Sequence, residues 1–582
     1  FVFILADDLG TAPVAAYGNS YYQTPALDRL AREGTRFDAA YSACPVCSPT
    51  RAAIMTGQYP ARTRVTDFIA GGDFPHERLL QPEWTKYLPL SAITVAEDLR
   101  ERGYATGLFG KWHLARAYTG PDSIAEGPDR QGFEESFITH KPSKNQDPAK
   151  DPHGVAGITE RALDFIGRHR DRPFFVYLPH FSIHTPLDAR PERLDKFKRK
   201  KPGAQHGNPL YAACLYDLDA GVGILLAKLA ELGLERDTLV VFTSDNGGTQ
   251  ASSQEPLRGN KGGYYEGGIR EPFIVRWPAV TRPGSRSDTP VINLDLYPTF
   301  LAAAGAPVPA GKVLDGESLL PLLRGDGALR RRAIYWHFPG YLNQPVIRGR
   351  DIDMRDGFRT RPVTVMNEGG WKLHLFHEEW RLDGGRDRLD SNRAVELYDL
   401  TTDLGERHDL ARSNPAKRDE MLGRMLAWIN DTGALIPAER NPRYTPPAPG
   451  AAPAPGVAGM IVPMVCVFVI MYFLVLRPQQ QQRASQCGGQ QHQHKQQRRG
   501  EVKAGAAMQA THRHRRQGAH IKLALGANVK QARTERHRRC QPGQHQRNGA
   551  GEGLAQRKHR AKAAMQQQTV GLRHVGARPP DQ

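Results

Sequence analysis

Along residues 1–320 the chain alternates short unbroken apolar runs with longer segments whose apolar positions recur every three or four residues. "FVFIL", "YATGLFG", "RPFFVYL" and "DTLVVFTS" are apolar, β-branched or aromatic, and predict buried strands. "TPALDRLAREG" predicts a capped helix ending at Gly34. "SAITVAEDLRERG" predicts a helix with a Ser or Thr cap and a stop at Gly103, and Leu210 to Leu232 a long helix. Strands alternating with helices predict an α/β fold, a large mostly parallel sheet flanked by helices on both faces. From 330 to 436 the pattern changes. "AIYWHF", "VTVMN", "WKLHLF" and "AVELYDL" predict short strands, and "NPAKRDEMLGRMLAWIN" a helix behind an Asn cap. The expected organisation is an α/β domain over 1–329 and a smaller C-terminal α+β subdomain over 330–436. A Pro/Ala/Gly linker follows over 437–456. Next come an uncharged apolar run of membrane-spanning length at 457–476 and a disordered tail at 477–582.

Charge changes this picture in one way. Of the 79 Lys+Arg and 61 Asp+Glu in the 582 residues, 22 and 4 lie after Leu476, leaving 57 of each before it. The whole net charge of +18 therefore belongs to the tail, and the first 476 residues are formally neutral. No nucleic acid partner is expected, because the tail has almost no aromatic residues for stacking. Six cysteines, four of them in the first 476 residues, are too few for a disulfide scaffold. The sequence opens within an apolar run and without Met, so it is expected to start inside a domain. An export signal before it would make the protein periplasmic or cell-surface, and the run at 457–476 would anchor it to a membrane.

Candidate chemistry sits directly after the predicted strands. Asp7 and Asp8 follow "FVFIL", and Lys111 and His113 follow "YATGLFG". His184 follows "RPFFVYL", and Asp245 and Asn246 follow "DTLVVFTS". The carboxyl ends of strands form the ligand crevice of open α/β sheets, so these residues are expected to converge there. The side-chain oxygens of Asp7, Asp8, Asp245 and Asn246 suit Ca²⁺ or Mg²⁺ rather than zinc. Singly, each also has an ordinary structural role: turn chemistry for Asp245-Asn246-Gly247, packing for His113 beside Trp112, a loop cap for His184 and a surface charge for Lys261. "CPVC" at 44–47 has the spacing of a metal knuckle or a redox pair. No second pair follows it, and no thioredoxin-sized domain surrounds it.

Cys47-Ser48-Pro49-Thr50-Arg51 resembles the C-x-P-x-R signature of type I sulfatases. "ADDLG" (6–10), "GKWHL" (110–114), "HTP" (184–186), "SDNGG" (244–248) and "LRGNKGGYYEGGIREP" (257–272) resemble that family's other pieces, in order. The resemblance implies an alkaline-phosphatase-like fold and a Cys47 oxidised to formylglycine by a maturation enzyme, with Cys44 a buried bystander. It implies one Ca²⁺ held by Asp7, Asp8, Asp245 and Asn246 and touching residue 47. A hydrated aldehyde would attack sulfur, form a covalent sulfo-enzyme and expel sulfate as the aldehyde reforms. Arg51 and Lys111 would hold the formylglycine, and His113 would be the base for its second hydroxyl. His184 and Lys261 would bind sulfate, either one protonating the leaving oxygen. The implied substrate is a sulfated carbohydrate or an aryl sulfate. The alternatives are a formylglycine-dependent phosphonate or phosphodiester hydrolase, and a membrane-tethered Sec-accessory protein with a non-catalytic sulfatase-like module. Trp336, Trp371 and Trp380 are expected to be core aromatics rather than sugar subsites. Residues 459–483 resemble the membrane segment of the YajC-type Sec accessory subunit, without the small domain that follows it there. Residues from about 448 onward are therefore expected not to be part of the enzyme.

Overall fold

The computed structural model describes residues 1–444 except 73, 143–146, 148 and 343–359. The apolar run at 457–476, the YajC-like segment and the basic tail lie outside the described residues.

In chain order the strands are β1 (Val2–Ala6), β2 (Thr35–Phe37), β3 (Ala40–Tyr41), β4 (Ala105–Gly110), β5 (Glu135–Ile138), β6 (Phe174–Pro179) and β7 (Val240–Ser244). There follow β8 (Phe273–Arg276), β9 (Ser285–Ser287), β10 (Val291–Ile292), β11 (Ala333–Phe338), β12 (Val363–Glu368), β13 (Trp371–Phe376) and β14 (Val395–Asp399). Eight of them form one sheet in the order β5-β4-β6-β1-β7-β8-β2-β9. Every neighbouring pair is parallel except the two that involve β8. The sheet is thus mostly parallel, as the strand–helix alternation predicts, with one reversed strand. The tetrapeptide β8 and the tripeptides β2 and β9 are too short to show a period, so the sequence pattern missed them.

Side chains alternate along each central strand and feed two cores. Val2, Ile4 and Ala6 enter one apolar cluster and Phe3 and Leu5 the other. The first cluster takes in residues of the helices Pro25–Glu33, Val155–Arg168 and Pro209–Glu231. The second takes in residues of Cys47–Thr56, Val95–Glu101 and Leu296–Ala303. Strands buried on both faces must be apolar throughout, which is why they read as unbroken runs. Pro209–Glu231 is the one helix among the described residues long and apolar enough to cross a membrane, and it lies largely buried in the first core.

The helix ends follow local chemistry with two differences, the first being that Thr24 makes no side-chain cap bond to its helix and accepts instead from the Ala15 amide. Thr94 and Glu97 close a reciprocal capping box, and Asn414 caps Pro415–Thr432 through the Lys417 amide. Gly34 ends its helix in an extended conformation rather than a left-handed one. Glycine is needed there because a Cβ would lie 2.2 Å from the Val275 carbonyl oxygen. The close approach of β8, not the helix stop, selects it.

Strands β11 to β14 form a separate antiparallel sheet, each pairing with the next. Trp336 is fully buried and donates to the Ser42 carbonyl at 2.7 Å, while Trp371 and Trp380 pack against the cluster around Met421 and Leu422. Beyond the last helix the chain stays on the body of the protein. Arg440 bridges Leu79, and the Asn441 amide donates to the Pro75 and Glu77 carbonyls.

A buried ionic group joins this sheet to the short helix Glu266–Ile269. Lys372 on β13 has no exposed side-chain surface and sits 2.9 Å from both Glu266 and Glu406, themselves fully buried. Arg270 and Tyr41 also engage Glu266, and Glu406 accepts the Glu266 backbone N–H at 2.7 Å. Removing one partner strands the others without water. Lys372→Met should therefore lower unfolding stability by about 3–5 kcal/mol, read as an earlier denaturant midpoint, with Lys372→Arg losing less.

Candidate active site

The order β4-β6-β1-β7 places four carboxyl ends side by side. Hydrogen bonding continues past the strands. Asp7 donates to the Ser182 carbonyl at 2.9 Å and Ile183 to the Asp7 carbonyl at 2.7 Å, which delivers His184 beside Asp8. On the other flank Ala6 pairs with Ser244, so Asp245 follows alongside Asp7. Lys111 leaves β4 with its amide on the Pro179 carbonyl at 2.6 Å. Gly110 permits this turn, since a Cβ there would meet that carbonyl oxygen at 2.0 Å and its φ is 139°.

Cys47 begins the helix Cys47–Thr56, and every residue of that helix is buried. Arg51 lies one turn further on, so the i,i+4 spacing of C-x-P-x-R puts both side chains on one face. The Arg51 guanidinium donates twice to Asp245 Oδ2, at 2.9 and 2.7 Å, and once to the Lys111 carbonyl at 3.1 Å. Lys111 Nζ is 2.7 Å from Asp7 Oδ2, and Lys261 Nζ is 2.6 Å from Asp8 Oδ1 and 3.5 Å from Cys47 Sγ. Cys47 Sγ is 3.6 Å from Asp7 Oδ1. His184 Nε2 lies 3.7 Å from Asp8 Oδ2. Lys261 and His184 keep 12% and 14% of their side-chain surface exposed, whereas Asp7, Asp8, Arg51 and Lys111 keep 1% or less. The open side of the cluster therefore belongs to Lys261 and His184.

The two glycine-rich stretches dock against each other. Gly247 donates to the Gly268 carbonyl at 2.9 Å, and a Cβ on Gly247 would lie 2.2 Å from the Gly267 oxygen. This contact seats Asn246 next to Asp8, where its Nδ2 donates to Asp8 Oδ1 at 2.8 Å.

Electrostatics decide which groups are charged. Burial alone would neutralise Asp7, but Lys111, His184, Arg51 and Lys261 together hold its carboxyl well below the usual range. Burial pushes the Cys47 thiol up to about 12, with Asp7 adding to the effect. At pH 7 the side chain therefore stays a thiol, and an unmodified Cys47 is a poor nucleophile. Cys44 is also raised to about 12 by burial, and its Sγ sits 3.4 Å from the Tyr264 hydroxyl, away from the charged cluster. His113 is held well below its ordinary value by burial and by Lys111. Its Nε2–H donates to the Ile69 carbonyl at 2.6 Å, which leaves the buried Nδ1 as the lone-pair nitrogen, without a hydrogen-bond partner. His113 and Asp8 both have positive φ, 57° and 61°, a cost tolerated at functional sites.

The oxygens of Asp7, Asp8 and Asn246 fit a hard divalent cation. Asp7, Asp8, Cys47 and His184 each bring one ligand atom to within 4.8 Å of the others. Asp8 Oδ2 and Asn246 Oδ1 are buried acceptors with no hydrogen-bond donor, which a cation would satisfy. Three carboxylates, Asp7, Asp8 and Asp245, face three cations, Arg51, Lys111 and Lys261. A divalent ion would tip this balance to +2 and favour an anionic ester. Asp245 differs from the sequence expectation in emphasis. Its Oδ2 is taken twice by Arg51, and Oδ1 lies 3.3 Å from the Asp8 amide.

The site residues singled out from the sequence thus meet at one sheet edge, where His113, its Nε2 held by the Ile69 carbonyl, is within electrostatic reach of Lys111, Arg51 and Asp7. Sequence reasoning missed the Ile69 carbonyl, a backbone group with no residue signal. It also missed Glu271, a buried carboxyl pushed well up by burial and by Asp245. Glu271 lies inside the "EGGIREP" stretch beside Arg270, where an acid next to a basic residue carries no signal of burial.

Comparison with known proteins agrees with this geometry. Residues 1–306 match the family described as sulfatase, and residues 260–355 match N-sulphoglucosamine sulphohydrolase, C-terminal. Arylsulfatase A of Homo sapiens is 33% identical over 460 residues, covering 70% of this chain and 82% of its own. Steryl-sulfatase of Mus musculus is 30% identical over 517 residues, covering 72% and 80%. The crystal structure of Ps i-CgsB in complex with k-i-k-neocarrahexaose superposes with a TM-score of 0.59 at 27% identity, covering 74% of this chain and 92% of that one. These matches lend no support to the YajC-like reading of 459–483.

Proposed function

Because the chain belongs to the sulfatase family and hydrolyses sulfate esters, we propose that its substrate is a sulfated saccharide and that residue 47, as formylglycine, is its nucleophile. The carrying observation is the Cys47 side chain itself. It lies at the focus of the cations, and burial leaves it almost wholly protonated as a thiol. A saccharide is favoured because Ps i-CgsB, at 27% identity, was solved with neocarrahexaose bound.

In this reading Cys47 Sγ stands where the oxygens of the hydrated aldehyde sit. Formylglycine supplies a nucleophilic oxygen and, through its second hydroxyl, a way to release sulfate. Asp7, Asp8 and Asn246, with Asp245 beside them, would hold Ca²⁺, which would supply positive charge toward the anion. The other steps belong to the chain's own side chains. Arg51 and Lys111 fix the carboxylates around residue 47. Lys261 and His184, on the open side, bind the sulfate oxygens and offset charge as the S–O bond breaks. His184 or Lys261 gives the leaving oxygen its proton. His113 Nδ1 takes a proton from the nucleophile's second hydroxyl. This reading also makes the protein an exported enzyme, periplasmic or cell-surface, that depends on a maturation enzyme.

The test is sulfate release by protein matured in a competent host, across defined sulfated saccharides, an aryl sulfate and a phosphodiester. Preferential turnover of a sulfated saccharide supports the reading. Turnover of the phosphodiester alone favours the phosphonate or phosphodiester alternative, and no turnover at all favours the non-catalytic module. A pH profile adds a sign. His113 must be neutral to act as base, and its affinity for a proton is lowered, so the acid limb of kcat should fall below pH ~6.5, the ordinary histidine value.

A further inference from the structure

We propose that Tyr118 receives the ring of the substrate's alcohol half and so sets the affinity of the sulfatase for ring-bearing esters. The sulfate end is alike in every substrate, so Arg51, Lys111 and Lys261 cannot tell one alcohol from another. Discrimination has to come from groups at the mouth of the site. Among the described residues Tyr118 is the one aromatic in the set of exposed large hydrophobic side chains, 43% exposed. Its ring stacks on His113, with centroids 5.1 Å apart and planes 29° from parallel. An aromatic ring with one face on a buried site histidine and much of its surface open to water is a ready platform for the C–H face of a sugar ring. Burial pushes its phenol up to about 12, and Lys111, Cys47 and Asp7 exert the next largest influences. The ring thus stays neutral and stands within electrostatic reach of the reacting end.

The inference rests on the sulfatase reading and on His113 belonging to the site. Because Tyr118 is exposed, its replacement should leave the fold intact, which a thermal melt checks. The experiment compares wild-type protein with Tyr118→Ala and Tyr118→Phe. It measures KM and kcat for a monosaccharide sulfate, and Ki for inorganic sulfate, which has no alcohol half. Tyr118→Ala should raise KM for the saccharide about 3–10-fold, leave kcat within about 2-fold and leave Ki unchanged. Tyr118→Phe, which keeps the ring, should match wild type. A fall in kcat with KM unchanged, accompanied by a shifted acid limb, would overturn the proposal and make Tyr118 a positioning residue for His113. Unchanged constants in Tyr118→Ala would overturn it as well. Failure of the sulfatase reading shows separately, as wild-type protein that releases no sulfate.

Discussion

Cys47→Ala should abolish sulfate release, a loss of at least about 10⁴-fold in kcat, while Cys44→Ala should retain activity and lose only packing stability. The two cysteines are three positions apart and equally buried, yet their surroundings differ. Cys47 has Lys261 at 3.5 Å and Asp7 at 3.6 Å, whereas Cys44 faces the Tyr264 hydroxyl. Cys47→Ser separates mere nucleophilicity from aldehyde chemistry. A serine hydroxyl can accept sulfate but has no second hydroxyl with which to expel it, so this variant should at best perform a single turnover. Peptide mass spectrometry with an aldehyde-reactive probe should find formylglycine at 47 and an unmodified thiol at 44. A fully active protein with an intact thiol at 47 would sink the mechanism.

Removing the cation should be nearly as severe. Chelation, or Asp8→Asn, should lower kcat/KM by about 10²–10³-fold, the scale seen when one charge-stabilising group is lost. Asparagine is the apt replacement, because position 8 has a φ of 61° and Asn tolerates that region. In wild type, calcium at about 100 times its Kd should add about 2.7 kcal/mol of stability, because only the native state gathers the ligands. In Asp8→Asn that calcium-dependent rise in Tm should shrink. Activity that survives both chelation and Asp8→Asn would refute the metal assignment.

How far the fold and the site could be read from the sequence follows the range of the forces involved. The central strands were legible because a strand buried on both faces must be apolar at every position, as Val2 to Ala6 are. The link between Cys47 and Arg51 was legible because one helical turn joins them. Caps such as Thr94 with Glu97 are equally local. The short strands β2, β8 and β9 were not legible, since they exist only through their partners in the sheet.

Spacing could not say what surrounds each functional group. Arg51 meets Asp245 across 194 positions, and Lys261 meets Cys47 across 214. Those meetings depend on β1 lying between β6 and β7, an order the chain does not follow in sequence. The protonation of Cys47 and His113 is a tertiary property for the same reason. Burial sets both; Asp7, from another strand, adds to the effect on Cys47, while the charge that acts most on His113 is its near neighbour Lys111. Lys372 looked like any strand lysine until folding closed two glutamates around it. Tyr118 became a candidate only when its ring came to rest on His113. Residue types and short spacings determined which chemistry this chain can carry. Sheet order and burial decided which groups meet, and which of them are charged, because both arise from packing between segments far apart in the chain.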